Sequence, residues 1–166
     1  MKTKFEGRVW KLGNHINTDV IYPGKYLPLL DSAEMAEHAL EGIDPEFPKK
    51  IGQGDIIVAG MNFGCGSSRE QAAECLKGAG IACVIAGSFA RIFFRNAINI
   101  GLPVVESREA WDVVETGDSI AVDFGAGIIQ TRKGSFRFPP LPPMIMEILE
   151  AGGLIEQVKK KISEKK

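Results

Sequence analysis

Three short apolar runs, Ile56-Ile57-Val58-Ala59, Ala82-Cys83-Val84-Ile85 and Leu102-Pro103-Val104-Val105, alternate along the middle of the chain with segments of helical periodicity. Short runs without polar interruption predict strands buried on both faces, and their alternation with helices predicts a parallel sheet. The first intervening helix is expected to start at Ser67 or Ser68, where Ser68 and Gln71 have capping-box spacing, and to end at Gly78 or Gly80. The second is expected from Ser88 toward Ile100, with Phe89, Ile92, Phe93 and Ala97 on its buried face. Right-handed crossovers would carry the loops after the first two of these strands to the same, carboxyl edge of the sheet.

The flanks follow other patterns. Phe5 to Leu12 mixes apolar and polar positions as a strand does, and Gly13-Asn14 is a turn signal. His15 to Leu30, interrupted by Pro23, Gly24 and Pro28, predicts a long loop. Asp31 with Glu34 three residues on predicts a capped short helix through about Leu40, before Asp44-Pro45 to Pro48 breaks the chain. Ser119 to Phe124, the turn Gly125-Ala126-Gly127 and Ile128 to Thr131 predict a β-hairpin. A proline-rich stretch from Pro139 to Pro143 then leads into a C-terminal helical segment broken at Gly152-Gly153. Its closing lysines read as a solvated, frayed helix end. There is no internal repeat. The expected fold is α/β, with a central mixed or parallel sheet flanked by helices and a C-terminal hairpin and helix. A length of 166 residues favours one domain over 1–166.

Composition removes several function classes. The chain is 45% hydrophobic and 25% charged, as soluble globular proteins are, and its 20 Lys+Arg nearly balance 21 Asp+Glu. That balance gives no electrostatic argument for nucleic acid or an anionic membrane. No apolar run reaches the roughly 18 residues of a spanning helix, and the first ten residues contain no long apolar signal core, so a cytoplasmic location is expected. Cys65, Cys75 and Cys83 form no CxxC pair and only His15 and His38 accompany them, so no metal is expected to be held by this chain alone. An active site shared with another chain remains open.

Candidate chemistry concentrates in Asn62-Phe63-Gly64-Cys65-Gly66-Ser67-Ser68-Arg69-Glu70, between a predicted buried strand and a predicted helix. Gly64 and Gly66 allow the backbone to approach a ligand, and a helix N-terminus offers unpaired N–H groups. Ser67 and Ser68 add hydroxyls, and Arg69 can grip a carboxylate or phosphate with two parallel hydrogen bonds. The segment is an anion site containing a candidate nucleophile or base, unless the glycines serve only a turn and one serine only a cap. Gly64-Cys65-Gly66 starts like a dinucleotide fingerprint, but Arg69 replaces the third glycine. No Gly-Lys-Ser/Thr follows, the G-x-S-x-G elbow is absent, and two early histidines make a hydrolase triad a poor reading.

This nine-residue motif, with Ser88-Phe89-Ala90-Arg91-Ile92 and the earlier Asn17-Thr18-Asp19, resembles the swivelling domain of the aconitase superfamily over nearly the whole chain. As a separate short chain it is similar to the small subunits of the family's two-chain enzymes. The resemblance implies a hydro-lyase that removes and re-adds water on hydroxy acids. It implies a [4Fe-4S] cluster held by cysteines of a large partner subunit, with no cofactor bound by this chain. It further implies that Ser67 is the catalytic base, that Ser68 and Arg69 hold substrate carboxylate, and that Thr18, Asp19, Asn62, Gly64 and Gly66 support them. Asp19 could support the serine loop or an arginine, or merely close its own turn. A small homo-oligomer of the isolated chain is also compatible.

Departures from the family pattern are few. Cys65 stands where aconitase proper has an acidic residue, and reads as a small thiol packed near the site rather than a cluster ligand. Gln71 replaces a common histidine, and Gly87 replaces the lysine that usually precedes Ser88. Arg91 reads as a structural arginine rather than a substrate contact. In relatives acting on tricarboxylic acids, an arginine in the loop after Asp19 pairs with the distal carboxylate. Here no arginine occurs between Val9 and Ser68, and Leu27, Leu29 and Leu30 are the candidate substrate-binding residues. An unpaired buried carboxylate is costly there and an alkyl group is welcome, which points to isopropylmalate rather than citrate or homocitrate. Lys25 keeps homocitrate open, dimethylmalate would fit the same apolar loop, and a stand-alone module gripping phosphate is the competing reading from another class.

Overall fold

Strand β1 (Lys4–Lys11) lies at the middle of a seven-stranded sheet and changes its character. The computed structural model of the protein describes residues 3–166. On one side of β1 lie β2 (Ile56–Ala59), β3 (Cys83–Ala86) and β4 (Val104–Glu106), all parallel, with Val9 opposite Ile56, Ile56 opposite Cys83 and Val84 opposite Val104. On the other side lie β5 (Ser119–Asp123), β6 (Ile128–Thr131) and β7 (Gly134–Arg137), all antiparallel, giving the order β4-β3-β2-β1-β5-β6-β7.

The apolar runs are strands for the expected reason. Every residue of β2 and β3 is buried, and successive residues enter opposite faces. Ile57, Ala59, Val84 and Ala86 join one core, while Ile56, Val58, Cys83 and Ile85 join the other. The first core is covered by the helices α2 (Ser32–Ala36), α4 (Glu70–Gly78), α5 (Arg91–Ile100) and α7 (Pro143–Ala151). The second lies beneath α6 (Arg108–Val113) and the antiparallel strands. Asp55, at the entry to β2, is buried but satisfied. It accepts from Arg8 at 2.9 Å, the Trp10 indole at 2.7 Å and the Gly52 N–H at 2.7 Å.

Several expectations need correction. The loop from His15 to Leu30 contains a helical turn, α1 (Thr18–Ile21), capped by the Asn17 side chain, and a 3-10 turn, Gly24–Tyr26. α2 is capped by Asp31 as expected, yet it closes at Ala36 and continues as turns. The break after Asp44 holds a short helix, α3 (Phe47–Lys50), with proline in its first turn, where the missing N–H costs nothing. The helices after β2 and β3 start at Glu70 and Arg91, two or three residues later than expected, which leaves both preceding segments as loops. The hairpin is extended by β7. The C-terminal segment breaks where expected, into two helices, α7 and α8 (Leu154–Glu164), separated at Gly152, whose φ of +91° a glycine adopts without strain. No helix among the described residues is long and apolar enough to cross a membrane.

Candidate active site

The loops after β1, β2 and β3 all emerge at the carboxyl ends of parallel strands and are stitched to one another. Gly60 N–H donates to Gly13 O at 3.0 Å, Gly64 N–H to Ile16 O at 2.7 Å and Thr18 N–H to Cys65 O at 2.8 Å. Phe63 N–H donates to Ser88 O and Ala90 N–H to Phe63 O, while the Asn62 N–H donates to the Ser88 hydroxyl at 2.7 Å. The three sequence motifs therefore meet at one edge of the sheet.

Two glycines set the path of the serine loop. Gly64 has φ of +82° and is buried, and a Cβ there would collide with the Phe93 ring. Gly66 has φ of +96°, which turns the chain so that Ser67 and Ser68 are exposed. The Thr18 hydroxyl donates to the Ser67 carbonyl oxygen at 2.8 Å and pins this turn. Consequently Ser68 and Gln71 do not form the anticipated capping box: Arg69 is the N-cap of α4 and makes no side-chain cap bond. Among the described residues, the N–H groups of Gly66, Ser67, Ser68 and Arg69 have no acceptor, so the loop keeps successive backbone donors for a ligand. Such a run favours an anion.

Arg69 is held by one nitrogen. Its Nη1 donates to Asp19 Oδ1 at 2.8 Å and to Tyr22 O at 3.1 Å, leaving Nη2 and Nε without acceptors among the described residues. Asp19 Oδ1 also accepts from the Gly24 N–H at 2.9 Å, so it closes its own turn and orients the arginine at once. The hydrogen bond from Arg69, with that from Gly24, holds the Asp19 carboxyl below its ordinary value. The guanidinium is mostly buried and keeps its remaining donors for a second anion.

These groups line a cavity of about 520 Å³ formed by Thr18, Gly64, Gly66, Ser67 and Arg69 on one side and by Ala90 to Phe93, Arg95 and Asn96 on the other. Ser67, Arg69, Thr18, Gly64 and Gly66 are thus brought together. Asp19 acts through Arg69, and Asn62 and Ser68 flank the loop without lining the cavity. Leu27, Leu29 and Leu30 do not line it either: Leu30 is 90% exposed, Leu27 is 37% exposed, and Leu29 packs half-buried against the first core. Their loop nevertheless begins beside the site, because Gly24 abuts the Arg69 guanidinium.

Sequence reasoning assigned Ile92 to the core and missed Arg95 and Asn96. Ile92 is 53% exposed and faces the cavity, as do Arg91 and Arg95. The available signal was a pair of arginines four apart on a predicted helix with no acidic residue in its first turn.

Cys75 and Cys83 are fully buried in different cores, and burial pushes both thiols far up, away from the thiolate a metal needs. Only Cys65 is near the loop, and no group of three His, Cys, Asp or Glu among the described residues could hold a metal. The donor set of this chain does not fit a [4Fe-4S] cluster.

The segment that carries these loops matches a known family. Residues 10–109 match the aconitase C-terminal domain, and the chain belongs to that family. The "3-isopropylmalate dehydratase small subunit" of Syntrophus aciditrophicus is 50% identical over 95% of this chain and 98% of its own length. The "isopropylmalate/citramalate isomerase small subunit" of Methanocaldococcus jannaschii is 52% identical over 99% of each chain. A solved structure described as 3-isopropylmalate dehydratase from the same archaeon superposes with a TM-score of 0.92 at 44% identity, covering 98% of this chain and 97% of that one.

Proposed function

We propose that this chain is the small, swivelling subunit of a 3-isopropylmalate dehydratase, a hydro-lyase that interconverts 2- and 3-isopropylmalate through an alkene in the cytoplasm. The observation that carries the reading is Ser67 on a loop of unpaired N–H groups, beside an arginine whose outer donors are free. Identity near 50% over essentially full length to proteins named as that subunit supports it.

In this reading Ser67 Oγ, as the alkoxide, takes the proton from the substrate carbon next to the one that loses hydroxide, and the carbon–carbon double bond forms. Returning proton and hydroxide to exchanged carbons gives the isomer. A serine hydroxyl is too weak an acid to ionise unaided, so the unpaired N–H groups and Arg69 serve to stabilise its anion. Nη2 and Nε of Arg69 hold one substrate carboxylate, and Asp19 fixes their direction. The [4Fe-4S] cluster that the family implies belongs to a large partner subunit. Substrate is an alkyl-bearing malate: the loop after Gly24 presents leucines and no arginine, and its one cation, Lys25, stands over the Tyr26 ring and does not line the cavity, so a third carboxylate would find no counter-charge there. Citramalate, for which the archaeal relative is also named, is of the same class.

Reconstitution tests this. The chain is mixed with a cluster-loaded large subunit, and alkene absorbance is followed with isopropylmalate, citramalate, dimethylmalate, citrate and homocitrate. Turnover on the alkyl malates that requires both subunits is expected. Robust turnover by the isolated chain, or equal rates on homocitrate, would overturn the division of labour or the substrate class respectively.

A further inference from the structure

Glu41 lies outside the cavity and has no part in the chemistry above, yet its carboxylate receives the Tyr26 hydroxyl on Oε1 at 2.6 Å and His38 Nδ1 on Oε2 at 2.6 Å. Resting on the hydro-lyase reading, we propose that Glu41 is a positioning residue for substrate: through Tyr26 it holds the segment 23–30 beside Arg69, where the leucines of that segment can meet the alkyl group.

The segment has few ties to the rest of the chain. Its backbone bonds are local, from Tyr26 N–H to Pro23 O, from Leu27 N–H to Gly24 O and from Leu29 N–H to Tyr26 O. Among the described residues, hydrogen bonds leave it at two places only. Gly24 N–H donates to Asp19, and Tyr26 is held twice, its carbonyl oxygen accepting from the Tyr22 hydroxyl at 2.6 Å and its own hydroxyl donating to Glu41. The Tyr26 ring also stacks on His38, with centroids 3.5 Å apart and planes 12° apart. From Leu27 to Leu30 no hydrogen bond leaves the segment, and of the three leucines Leu29 alone packs against the first core. Tyr26 is therefore the pivot from which the leucines hang.

The turn that carries Glu41 is fastened to α1, the helix whose Thr18 and Asp19 hold the serine loop and Arg69. Leu40 N–H donates to Ile21 O at 2.8 Å and Gly42 N–H to Val20 O at 3.1 Å, and a Cβ on Gly42 would collide with the Val20 backbone. Leu40 is buried with a left-handed φ of +60°, which a residue other than glycine adopts at a cost. Strain of this kind persists where the surroundings over-determine it, and here it fixes the direction of the next residue, Glu41. Burial raises the Glu41 carboxyl, but the hydrogen bonds from Tyr26 and His38 outweigh it and leave the group below its ordinary value. It is an anionic acceptor for both.

One chain of hydrogen bonds thus runs from Glu41 through Tyr26 and Tyr22, whose carbonyl oxygen accepts from Arg69 at 3.1 Å, to the guanidinium that binds substrate. A segment already held in place needs less ordering when substrate binds. Loss of the clamp should therefore lower apparent affinity and spare the chemical step.

The test uses the enzyme reconstituted with its large subunit, as wild type and as Tyr26→Phe, Glu41→Ala and Glu41→Gln, with isopropylmalate and citramalate as substrates. Tyr26→Phe and Glu41→Ala are expected to raise KM for isopropylmalate about 10- to 100-fold, by the loss of one charge-assisted hydrogen bond, with kcat within about twofold of wild type. Glu41→Gln keeps an acceptor for Tyr26 and should be intermediate. With citramalate, whose methyl group offers the leucines less surface, each rise should be smaller by about threefold or more. In the isolated chain, trypsin should cut after Lys25 about 10-fold faster in Glu41→Ala than in wild type, relative to cutting after Lys77 in α4. An unchanged KM, a fall in kcat with KM unchanged, equal rises for both substrates, or unchanged cutting after Lys25 would overturn the proposal. A wild-type complex that turns over neither acid would refute the hydro-lyase reading instead, and cutting after Lys25 would still decide whether Glu41 holds the segment.

Discussion

Arg69 illustrates how one residue can be both anchored and available. Nη1 is spent on Asp19 and Tyr22 O, which fixes the plane of the guanidinium, while Nη2 and Nε have no acceptor among the described residues and the residue lines the cavity. A lysine could keep the charge but could not bond Asp19 and a substrate carboxylate in a fixed fork. Arg69→Lys is therefore expected to lower kcat/KM of the assembled enzyme about 10- to 100-fold, by the loss of one charge-assisted bond, while subunit association persists. Steady-state kinetics beside a binding assay would check this, and activity within about twofold of wild type would contradict it. The pair also has a defined pH range. The Asp19 pKa is lowered, chiefly by the hydrogen bond from Arg69, so the pair is complete above the ordinary carboxylate range and is lost only as pH falls through the lowered value. Asp19 should accordingly add no acidic limb to the kcat/KM profile above about pH 4. The Thr18-Asp19 and Ser67-Arg69 motifs were legible in sequence because their residue types are chemically distinctive. Their connection through Arg69 Nη1 was one of several open readings, because no local rule ties residues fifty apart.

At the scale of elements, the strands were easier to read than the ends of helices. β2 and β3 are buried on both faces, so their sequences carry no polar residue and announce themselves. β7, Gly-Ser-Phe-Arg at the edge of the sheet, has only a half-buried Phe136 and no apolar alternation, so nothing in its composition marks it. Ser68 and Gln71 have good capping spacing, but α4 starts later because the positive φ of Gly66 and the Thr18 bond to the Ser67 carbonyl impose another path. Periodicity likewise assigned Ile92 to the core because an apolar residue facing a cavity and one facing the core share the same spacing. The serine loop depends on α5 through Gly64. Gly64→Ala would combine a left-handed backbone with a collision against Phe93, and unfolding by urea should show a loss of about 3 kcal/mol. A change below about 0.5 kcal/mol would mean that the loop takes another path.

Over the whole molecule, the sheet's change from parallel to antiparallel at β1 separates two tasks. The parallel half gathers three loops at one edge, while β5, β6 and β7 cover the second core and contribute nothing to the cavity. Net charge is near zero, which gives no electrostatic argument for nucleic acid. The loops bring a serine and an arginine to one open cavity, and no group of three metal-ligating side chains accompanies them among the described residues. The most direct test is Ser67→Ala in the reconstituted two-subunit enzyme, with turnover of isopropylmalate measured beside subunit association. The account predicts a loss of about 100- to 10,000-fold in kcat with association unchanged. Retention of turnover by Ser67→Ala would contradict it.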